Sequence, residues 1–256
     1  MRHKRHQQNI AMPGMCGTCP VRRLALFQPL SEEEVAATQG YRVDTRVVEP
    51  GGAVFRQGDS SAEVYTLFDG WAFLSQRTAD GGRQILEFLL PGDFFGLQPG
   101  RFGDARIHSA HAITPVSLCV FTYSGLMEMF KEHIDLGMRL TWMTARDEAI
   151  AHEHLVSLGR RSARERIAHL LLELFHRARS RRRDPEPGST IDFPLTQEHV
   201  ADACGLTKIH VSRILSALRE DNLLVWRAKE LTIPNPDRLA AVANYSHDLA
   251  ASRPIL

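Results

Sequence analysis

Residues 196–215, which read TQEHVADACGLTKIHVSRIL, constrain the fold of this chain more than any other stretch. If Gln197 is taken as the first position of a helix-turn-helix, apolar side chains stand wherever two short helices must bury each other. Ala201 is small at the closest approach, Gly205 stands at the turn, where glycine adopts a positive φ most easily, and Thr207 is a suitable N-cap. The apolar positions are Val200, Cys204, Leu206, Val211 and Ile214. The pattern predicts a helix-turn-helix, with an ordinary αα-hairpin as the alternative.

The residues that follow add a second element to this motif. Residues 222–227 and 230–233 are two short apolar runs on either side of Ala228 and Lys229, and they predict a two-stranded hairpin. A helix-turn-helix followed by such a hairpin is a winged helix-turn-helix. The second helix of the motif is then expected to lie in the major groove of DNA, with its N-terminal half facing the base edges.

Helical spacing divides the side chains of that second helix into an inner and an outer face. Arg213 faces outward and is the best candidate for bidentate recognition of a guanine. Ile209 also faces outward, and it offers only apolar contact, for example to a thymine methyl group. The hydroxyl or basic side chains beside them are better suited to phosphate contacts, which position a protein without specifying a sequence. The predicted DNA-binding residues are Thr207, Lys208, Ile209, His210, Ser212 and Arg213.

Residues 41–123 follow a different pattern, in which turn residues recur about every ten positions. Pairs such as Pro50-Gly51, Asp69-Gly70 and Pro91-Gly92 separate short apolar runs. Such spacing predicts an antiparallel sandwich or barrel. The predicted strands include residues 63–68, 71–76, 84–90 and 116–121.

From residue 125 to residue 158 the chain has no proline and one internal glycine, which predicts helix. Leu136, Met143 and Ile150 recur every seven residues, with Leu140 between the first two. This stripe predicts a dimer interface against a second copy, and packing of the helix on its own domain is an equal alternative. A further helix is predicted over residues 163–177, and the arginine- and proline-rich residues 177–190 are expected to form an exposed loop.

Composition bounds the class of protein. The 256 residues are 43% apolar and 24% charged, which is typical of a globular protein. The net charge of +1 combines +5 over residues 1–31, −8 over residues 32–156 and +4 over residues 157–256, so a polyanion is expected to meet the basic ends, chiefly the C-terminal part. No apolar run reaches membrane-spanning length, and residues 1–14 lack the apolar stretch of a signal peptide. We therefore expect a cytoplasmic protein without a membrane span.

Several stretches together resemble the CRP/FNR family of bacterial transcription regulators. Besides the helix-turn-helix, the resemblance rests on EPGGAVFRQGD (49–59), YTLFDGWAFL (65–74), PGDFFG (91–96) and GRRSARERIAHLLLEL (159–174). It implies an α+β chain with an N-terminal cyclic-nucleotide-binding-like β-roll, a long dimerisation helix and a C-terminal winged helix-turn-helix. It further implies a homodimer that binds a two-fold-related site on double-stranded DNA and contacts RNA polymerase.

On this basis the chain divides into five segments. A basic flexible tail covers residues 1–23 and contains a CxxC pair, Cys16 and Cys19, and the β-roll covers residues 24–124. The dimerisation helix region covers residues 125–158. The DNA-binding domain covers residues 159–235, and residues 236–256 form a C-terminal extension.

The resemblance also bears on the signal that the β-roll receives. Cyclic-nucleotide binders of the family place a glutamate just after the glycine of their PGDxxG-like turn, and an Arg-Ser pair further on holds the cyclic phosphate. Here Leu97 and the pair His108-Ser109 stand at these positions. Without a carboxylate for the ribose or a guanidinium for the phosphate, cyclic AMP binding is not expected.

The cysteines point to the oxygen sensors of the FNR branch, which hold a [4Fe–4S] cluster with three N-terminal cysteines and one in the β-domain. Cys16 and Cys19 match the first two, and Cys119 falls where the fourth is expected. The third is missing, because residues 24–28 contain no cysteine, so a cluster would need one non-cysteine ligand, such as water, a small thiol, His3 or His6. The alternatives are a single zinc or iron, a disulfide, or no cofactor, with Cys119 as a core residue.

Two functions from different classes follow. The first is a dimeric transcription regulator, with no catalytic residues. The second is a redox- or metal-binding thiol protein that uses Cys16 and Cys19 and whose helix-turn-helix serves protein interaction. The second is disfavoured, because redox CxxC motifs open a helix in a βαβ unit, which is absent here. The pairs His108/His111 and His152/His154 point to opposite or different faces and predict no metal site.

Overall fold

A computed structural model describes residues 10–21, 31–98, 104–180 and 190–245. Its N-terminal half contains two antiparallel four-stranded sheets, with strand orders β1-β8-β3-β6 and β2-β7-β4-β5. The strands are β1 (Arg42–Val48), β2 (Ala53–Phe55), β3 (Glu63–Asp69), β4 (Ala72–Arg77), β5 (Arg83–Leu89), β6 (Phe94–Phe95), β7 (Ser109–Ala112) and β8 (Val116–Thr122). The predicted β-domain and its four named strands are confirmed.

The core of this β-roll follows from the alternation of side chains along its strands. Strand β8 lies between β1 and β3, and pairs Leu118 with Leu67 and Val120 with Tyr65. These four side chains are almost completely buried, with at most 1% exposure. Residues two apart on a strand share a face, so both strands direct the same apolar face into the core.

Three helices flank the β-roll, and the region predicted as continuous helix contains a break. They are α1 (Glu32–Gly40), α2 (Tyr123–Glu132) and α3 (Ile134–Arg160). His133 separates α2 from α3 with φ −129° and ψ 80°, outside the helical region. The first helix begins with a capping box, in which Ser31 and Glu34 satisfy each other's backbone N–H groups.

The stripe predicted as a dimer interface needs correction. Leu136, Leu140 and Met143 are 1%, 8% and 3% exposed in the single chain, where they join a cluster with Val64 of β3 and with α2. Ile150 is half-buried and lines a cavity instead. The alternative prediction, that this face of the helix packs on its own domain, describes the first three residues.

The C-terminal half is built around α4 (Ala163–Arg179), which begins with a capping box between Ser162 and Glu165. Its apolar side chains contact a small three-stranded sheet and three further helices. The other elements of this half are β9 (Ile191–Asp192), α5 (Gln197–Cys204), α6 (Lys208–Glu220), β10 (Val225–Arg227), β11 (Glu230–Thr232) and α7 (Pro236–Ala243). Helix α7 buries Leu239 and Ala243 in this core, so residues 236–243 belong to the DNA-binding domain and not to a separate extension.

The start of the predicted exposed loop, residues 177–190, also needs correction. Arg177 lies in the last turn of α4, and its side chain is only 5% exposed. Residues 181–189 lie outside the described part of the chain. The run of arginines concealed the difference, because sequence alone does not separate a buried, paired arginine from a solvated one.

One apolar cluster extends from the outside of the β-roll into the C-terminal half. Trp71 of the β-roll contacts Phe193 edge-on, with 5.8 Å between ring centroids, and Phe193 contacts Trp226 in the same way at 5.1 Å. Arg83 forms an ion pair of 2.5 Å with Asp202 of α5. Within the described residues, no helix is both long and apolar enough to cross a membrane.

Candidate nucleic-acid interface

Helices α5 and α6 form the predicted helix-turn-helix. Thr196 caps α5, since its hydroxyl accepts the backbone N–H of His199 at 3.2 Å. Gly205 ends α5 in the left-handed conformation, with φ 63° and ψ 43°. Thr207 then caps α6 by accepting the N–H of His210 at 3.3 Å. The roles predicted for Gly205 and Thr207 are confirmed.

The inner faces of these helices are buried as the apolar pattern requires. Val200 and Val211 are 0% exposed, and Cys204 is 2% exposed. Leu206 and Ile214 are half-buried at the rim. Burial raises the pKa of the Cys204 thiol to about 12, which is consistent with its predicted role as a packing residue.

The outer face of α6 carries the predicted DNA-binding residues, and all of them are exposed. Ile209 is 68% exposed, an unusual position for an isoleucine on a helix whose other face is well buried. Arg213 lies one turn further along the same face. The hydroxyl of Thr207 is engaged in the cap, so its contribution to DNA contact is limited to its remaining hydrogen-bonding capacity.

The wing is present and contains a strand that sequence reasoning missed. Strands β10 and β11 pair around Ala228 and Lys229, whose φ values of 51° and 66° make a turn without glycine. Strand β9 pairs with β11 and completes the sheet. Arg227 and Lys229 are exposed near the tip of the hairpin and are further candidates for phosphate contacts. In the sequence, the position of these two cationic residues beside the predicted hairpin turn could have indicated this role.

One further arginine supports the position of α5. Arg166 of α4 donates to the carbonyl of Cys204 at 2.7 Å and to that of Arg161 at 3.2 Å. The first bond satisfies a carbonyl that the helix end leaves unpaired. Arg166 therefore ties the turn between α5 and α6 to the start of α4.

The N-terminal cysteines lie in a segment that is docked on the β-roll, so the expected flexible tail is wrong for residues 10–21. The N–H of Ala11 donates to Asp69 at 3.0 Å, and the Ser117 hydroxyl donates to the carbonyl of Ala11 at 2.6 Å. Cys16 begins a single 3-10 turn (Cys16–Thr18), and its N–H donates to Gln39 at 3.0 Å.

The three predicted metal ligands are close enough to interact electrostatically. Burial raises the pKa of the Cys119 thiol to about 11, Arg42 opposes this rise, and negative charge on Cys16 or Cys19 adds to it. However, no three histidine, cysteine or acidic side chains of the described residues are arranged to hold a metal ion. His3 and His6, named as possible further ligands, lie outside that part of the chain.

The structure also describes Leu97, His108 and Ser109, which stand where cyclic-nucleotide binders of the family hold the ribose and the phosphate. Leu97 is exposed, and the hydroxyl of Ser109 accepts the N–H of Gln57 at 2.9 Å. His108 is half-buried, and this burial lowers the pKa of its imidazole below the usual value. Uncharged imidazole offers an anionic phosphate much less than a guanidinium would.

The fold and the exposed helix are those of a DNA-binding regulator with an N-terminal β-roll, and comparison with known proteins agrees. The model of the cyclic nucleotide-binding domain matches residues 45–133, and the model of the Crp-like helix-turn-helix domain matches residues 165–242. Together with the relatives below, these matches show that the chain belongs to the CRP/FNR family of transcription regulators.

Relatives cover most of the chain. It is 36% identical to the transcriptional activator protein FnrL of Cereibacter sphaeroides, over 85% of this chain and 87% of that protein. It is 33% identical to the nitrogen fixation regulation protein FixK of Rhizobium meliloti, over 77% and 85% of the two chains. The structure of FixK2 from Bradyrhizobium japonicum aligns with a TM-score of 0.71 and 28% identity, over 79% of this chain and 98% of that one. These relatives are regulators, which supports the prediction that the chain is not an enzyme.

Proposed function

We propose that the chain is a cytoplasmic, homodimeric transcription regulator that binds a two-fold-related operator through α6 and contacts RNA polymerase. The observation that carries this proposal is the division of α6 into a buried scaffold and an exposed polar face. Val211 and Leu215 are at most 2% exposed, whereas Ser212 and Arg213 between them face water. A helix held this firmly can present its outer side chains to the major groove without reorganising.

Individual side chains of α6 take different parts in recognition. Arg213 reads a guanine through two parallel hydrogen bonds, because its planar fork matches the O6 and N7 acceptors. Ile209 contacts a thymine methyl group, the apolar feature of the major groove. Lys208 and His210 contact phosphates and fix the register of the helix.

The dimer forms through the face of α3 that the β-roll leaves free. Ile134, Met138 and Leu155 are 71%, 64% and 65% exposed. Together with Thr141, Ala145, Glu148 and His152 they recur at alternating steps of four and three residues, and all seven are exposed. That spacing is the one by which two helices pack along a seam. Burial of such a stripe against a second copy removes apolar surface from water.

The names of the relatives support activation as the regulatory outcome, since FnrL is called a transcriptional activator protein. The signal is received by the N-terminal cysteines or the β-roll. Three thiols within electrostatic range of one another support a cysteine-centred signal. An absorption spectrum of protein purified without oxygen, with iron and sulfide contents, distinguishes a cluster from metal-free thiols.

The proposal is tested by selecting bound duplexes from a random library and measuring affinity for every single-base variant of the selected site. We expect a two-fold-related sequence bound by two chains per duplex. Arg213→Ala should lose about 1–3 kcal/mol of discrimination at one base pair of each half-site. Arg219→Ala, on the exposed last turn of the same helix, is the matched control and should leave discrimination unchanged.

The alternative function predicts a different result. A thiol protein whose helix-turn-helix serves protein interaction would select no sequence, and the Arg213 variant would equal wild type on every duplex. Sequence-specific binding that persists in Cys16→Ser would exclude a requirement for the CxxC pair in DNA binding itself.

A further inference from the structure

A group of charged side chains lies where the β-roll, α3 and α4 meet. We call it the Arg177 cluster, and it consists of Arg177, Glu173, His154, Glu87 and Asp93. From α4, Arg177 donates to the Phe88 carbonyl at 2.9 Å and to the Asp93 carboxylate at 2.7 Å. The same guanidinium donates to Glu173, one turn earlier on α4, at 3.3 Å. One side chain of the DNA-binding half is therefore bonded to both β5 and the turn after it.

Helix α3 joins the same cluster through His154. Its Nε2 atom lies 2.8 Å from a carboxylate oxygen of Glu173, while Arg177 occupies the other oxygen. Glu173 and Arg177 are 7% and 5% exposed, and His154 is 24% exposed. The carboxylate of Glu173 thus links the long helix to the guanidinium that holds the β-roll.

Among the described residues, the cluster holds more acidic groups than its cations can balance. The carboxylates of Glu87, Asp93 and Glu173 lie around one guanidinium and one imidazole, and the nearby Asp147 carboxylate lies 3.9 Å from the Arg146 guanidinium. Buried carboxylates that are not fully paired retain protons instead of charging. Burial accordingly raises the pKa of Glu87 to about 8 and that of Asp147 to about 6.

The other groups of the cluster favour the same protonation state. Burial alone would lower the pKa of His154, but the Glu173 carboxylate raises it above its ordinary value. Burial alone would raise the pKa of Glu173, but His154 and Arg177 lower it to about 2. Burial lowers the pKa of His169 to about 4, so this imidazole is neutral near pH 7. Other titratable or charged groups of the described residues also lie around the cluster. They are Arg146 and Glu153 of α3, Arg161 after it, and Arg166 and His108, which line the cavity beside it.

Protons can reach the cluster from one side. A cavity of about 380 Å³ lies between β5, α3 and α4, and Glu87, Asp147 and His154 line it. The Glu87 side chain, which lines this cavity, is 26% exposed. The groups that change charge near neutral pH therefore face a space that water can enter, while Arg177 and Glu173 behind them do not.

We propose that the Arg177 cluster is a proton-operated joint, which holds the DNA-binding half against the β-roll while its excess carboxylates are protonated and loosens when they lose their protons. The proposal rests on the proposed function in one respect, because it takes operator binding as the activity that the joint controls. A joint that fixes the orientation of α6 spares the conformational cost of binding, so loosening it weakens affinity.

The direction of the pH dependence follows from linkage. Glu87 and Asp147 bind protons more tightly in the docked state than in a state exposed to water, and so does His154. Docking is therefore strongest at pH values below the pKa values that the two carboxyl groups have in the unfolded chain. It is lost as the pH rises through about 6 for Asp147 and then about 8 for Glu87. Loss of the proton on His154 adds to the same change.

The test uses the full-length chain and the duplex selected in the experiment above, at fixed ionic strength between about pH 5.5 and pH 8.5, a range that includes the titration of both Asp147 and Glu87. We expect the wild-type Kd to rise at least about tenfold across this range, since one proton coupled to docking can change it by up to about tenfold for each pH unit. Glu87→Gln carries no titratable proton at this position and should reduce the rise to at most about threefold. Amide hydrogen exchange of α5, corrected for intrinsic rates, should increase over the same range in wild type only.

Two further variants make the test specific. Asp147→Asn should flatten the lower part of the wild-type profile, and it serves if Glu87→Gln folds poorly. Arg164→Met removes an exposed ion pair with Asp221 that lies wholly inside the DNA-binding half, so it should keep the wild-type slope.

Equal pH profiles in wild type and both acidic-site variants, with unchanged exchange of α5, would overturn the joint. If no duplex were selected at all, the proposed function would fail instead, and the exchange measurement would still show whether the halves separate as pH rises.

Discussion

Helix α6 and the Arg177 cluster are both rich in charged and polar groups, but water reaches one and hardly reaches the other. On α6, Lys208 and Arg213 are exposed and free to exchange partners with a ligand. In the cluster, Arg177 and Glu173 are at most 7% exposed and are committed to each other. The contrast separates two uses of charge. Exposed cations contribute to recognition with little effect on folding, whereas buried charges tie stability to the presence of every partner.

The largest expected effect comes from making the same substitution at both places. Arg177→Met should lower the free energy of unfolding by about 3–5 kcal/mol, because it removes the guanidinium to which the Asp93 and Glu173 carboxylates both bond. Arg213→Met should change it by no more than about 0.5 kcal/mol, since its side chain faces water. Urea denaturation at pH 7 measures both. Equal effects would show that the two arginines do not differ in the way that their burial indicates.

The contrast also explains what could be predicted from the sequence. The helix-turn-helix is encoded within twenty residues, so the spacing of Val200, Gly205 and Val211 was enough to place it. Arg177, by contrast, bonds to Asp93 and to Phe88, which precede it in the sequence by 84 and 89 positions. No local pattern connects residues that are so far apart. The dimer stripe failed for a related reason. Helix α3 also carries the large apolar side chains of Ile134, Met138 and Leu155 on its exposed face, and periodicity does not say which face the β-roll covers.

A smaller effect is expected from alanine substitution of two glycines, one at the end of α5 and one in the last turn of α3. Gly205 has φ 63° at the end of α5, and an added Cβ would meet only Leu158 and Arg166 at ordinary contact distances. Gly205→Ala should therefore cost about 1–2 kcal/mol through backbone strain alone. Gly159, in the last turn of α3, has no atom within 4 Å of an added Cβ, and Gly159→Ala should stabilise by about 0.5–1 kcal/mol. Thermal unfolding of both variants gives the signs, and a stabilised Gly205→Ala would contradict the requirement for a left-handed residue at the turn.

The smallest expected effect is that of the ion pair between Arg164 and Asp221. Its atoms are 2.5 Å apart, closer than the Arg177–Asp93 contact of 2.7 Å, so distance alone would rank it the stronger. Its side chains are 34% and 55% exposed, however, and water and salt screen their attraction. A double-mutant cycle with Arg164→Met and Asp221→Asn should give a coupling energy of about 0.2–1 kcal/mol in low salt and almost none in 1 M salt. A coupling of several kcal/mol that persists in salt would mean that distance, and not burial, sets the strength of ion pairs in this half of the molecule, and the comparison between α6 and the Arg177 cluster would lose its physical basis.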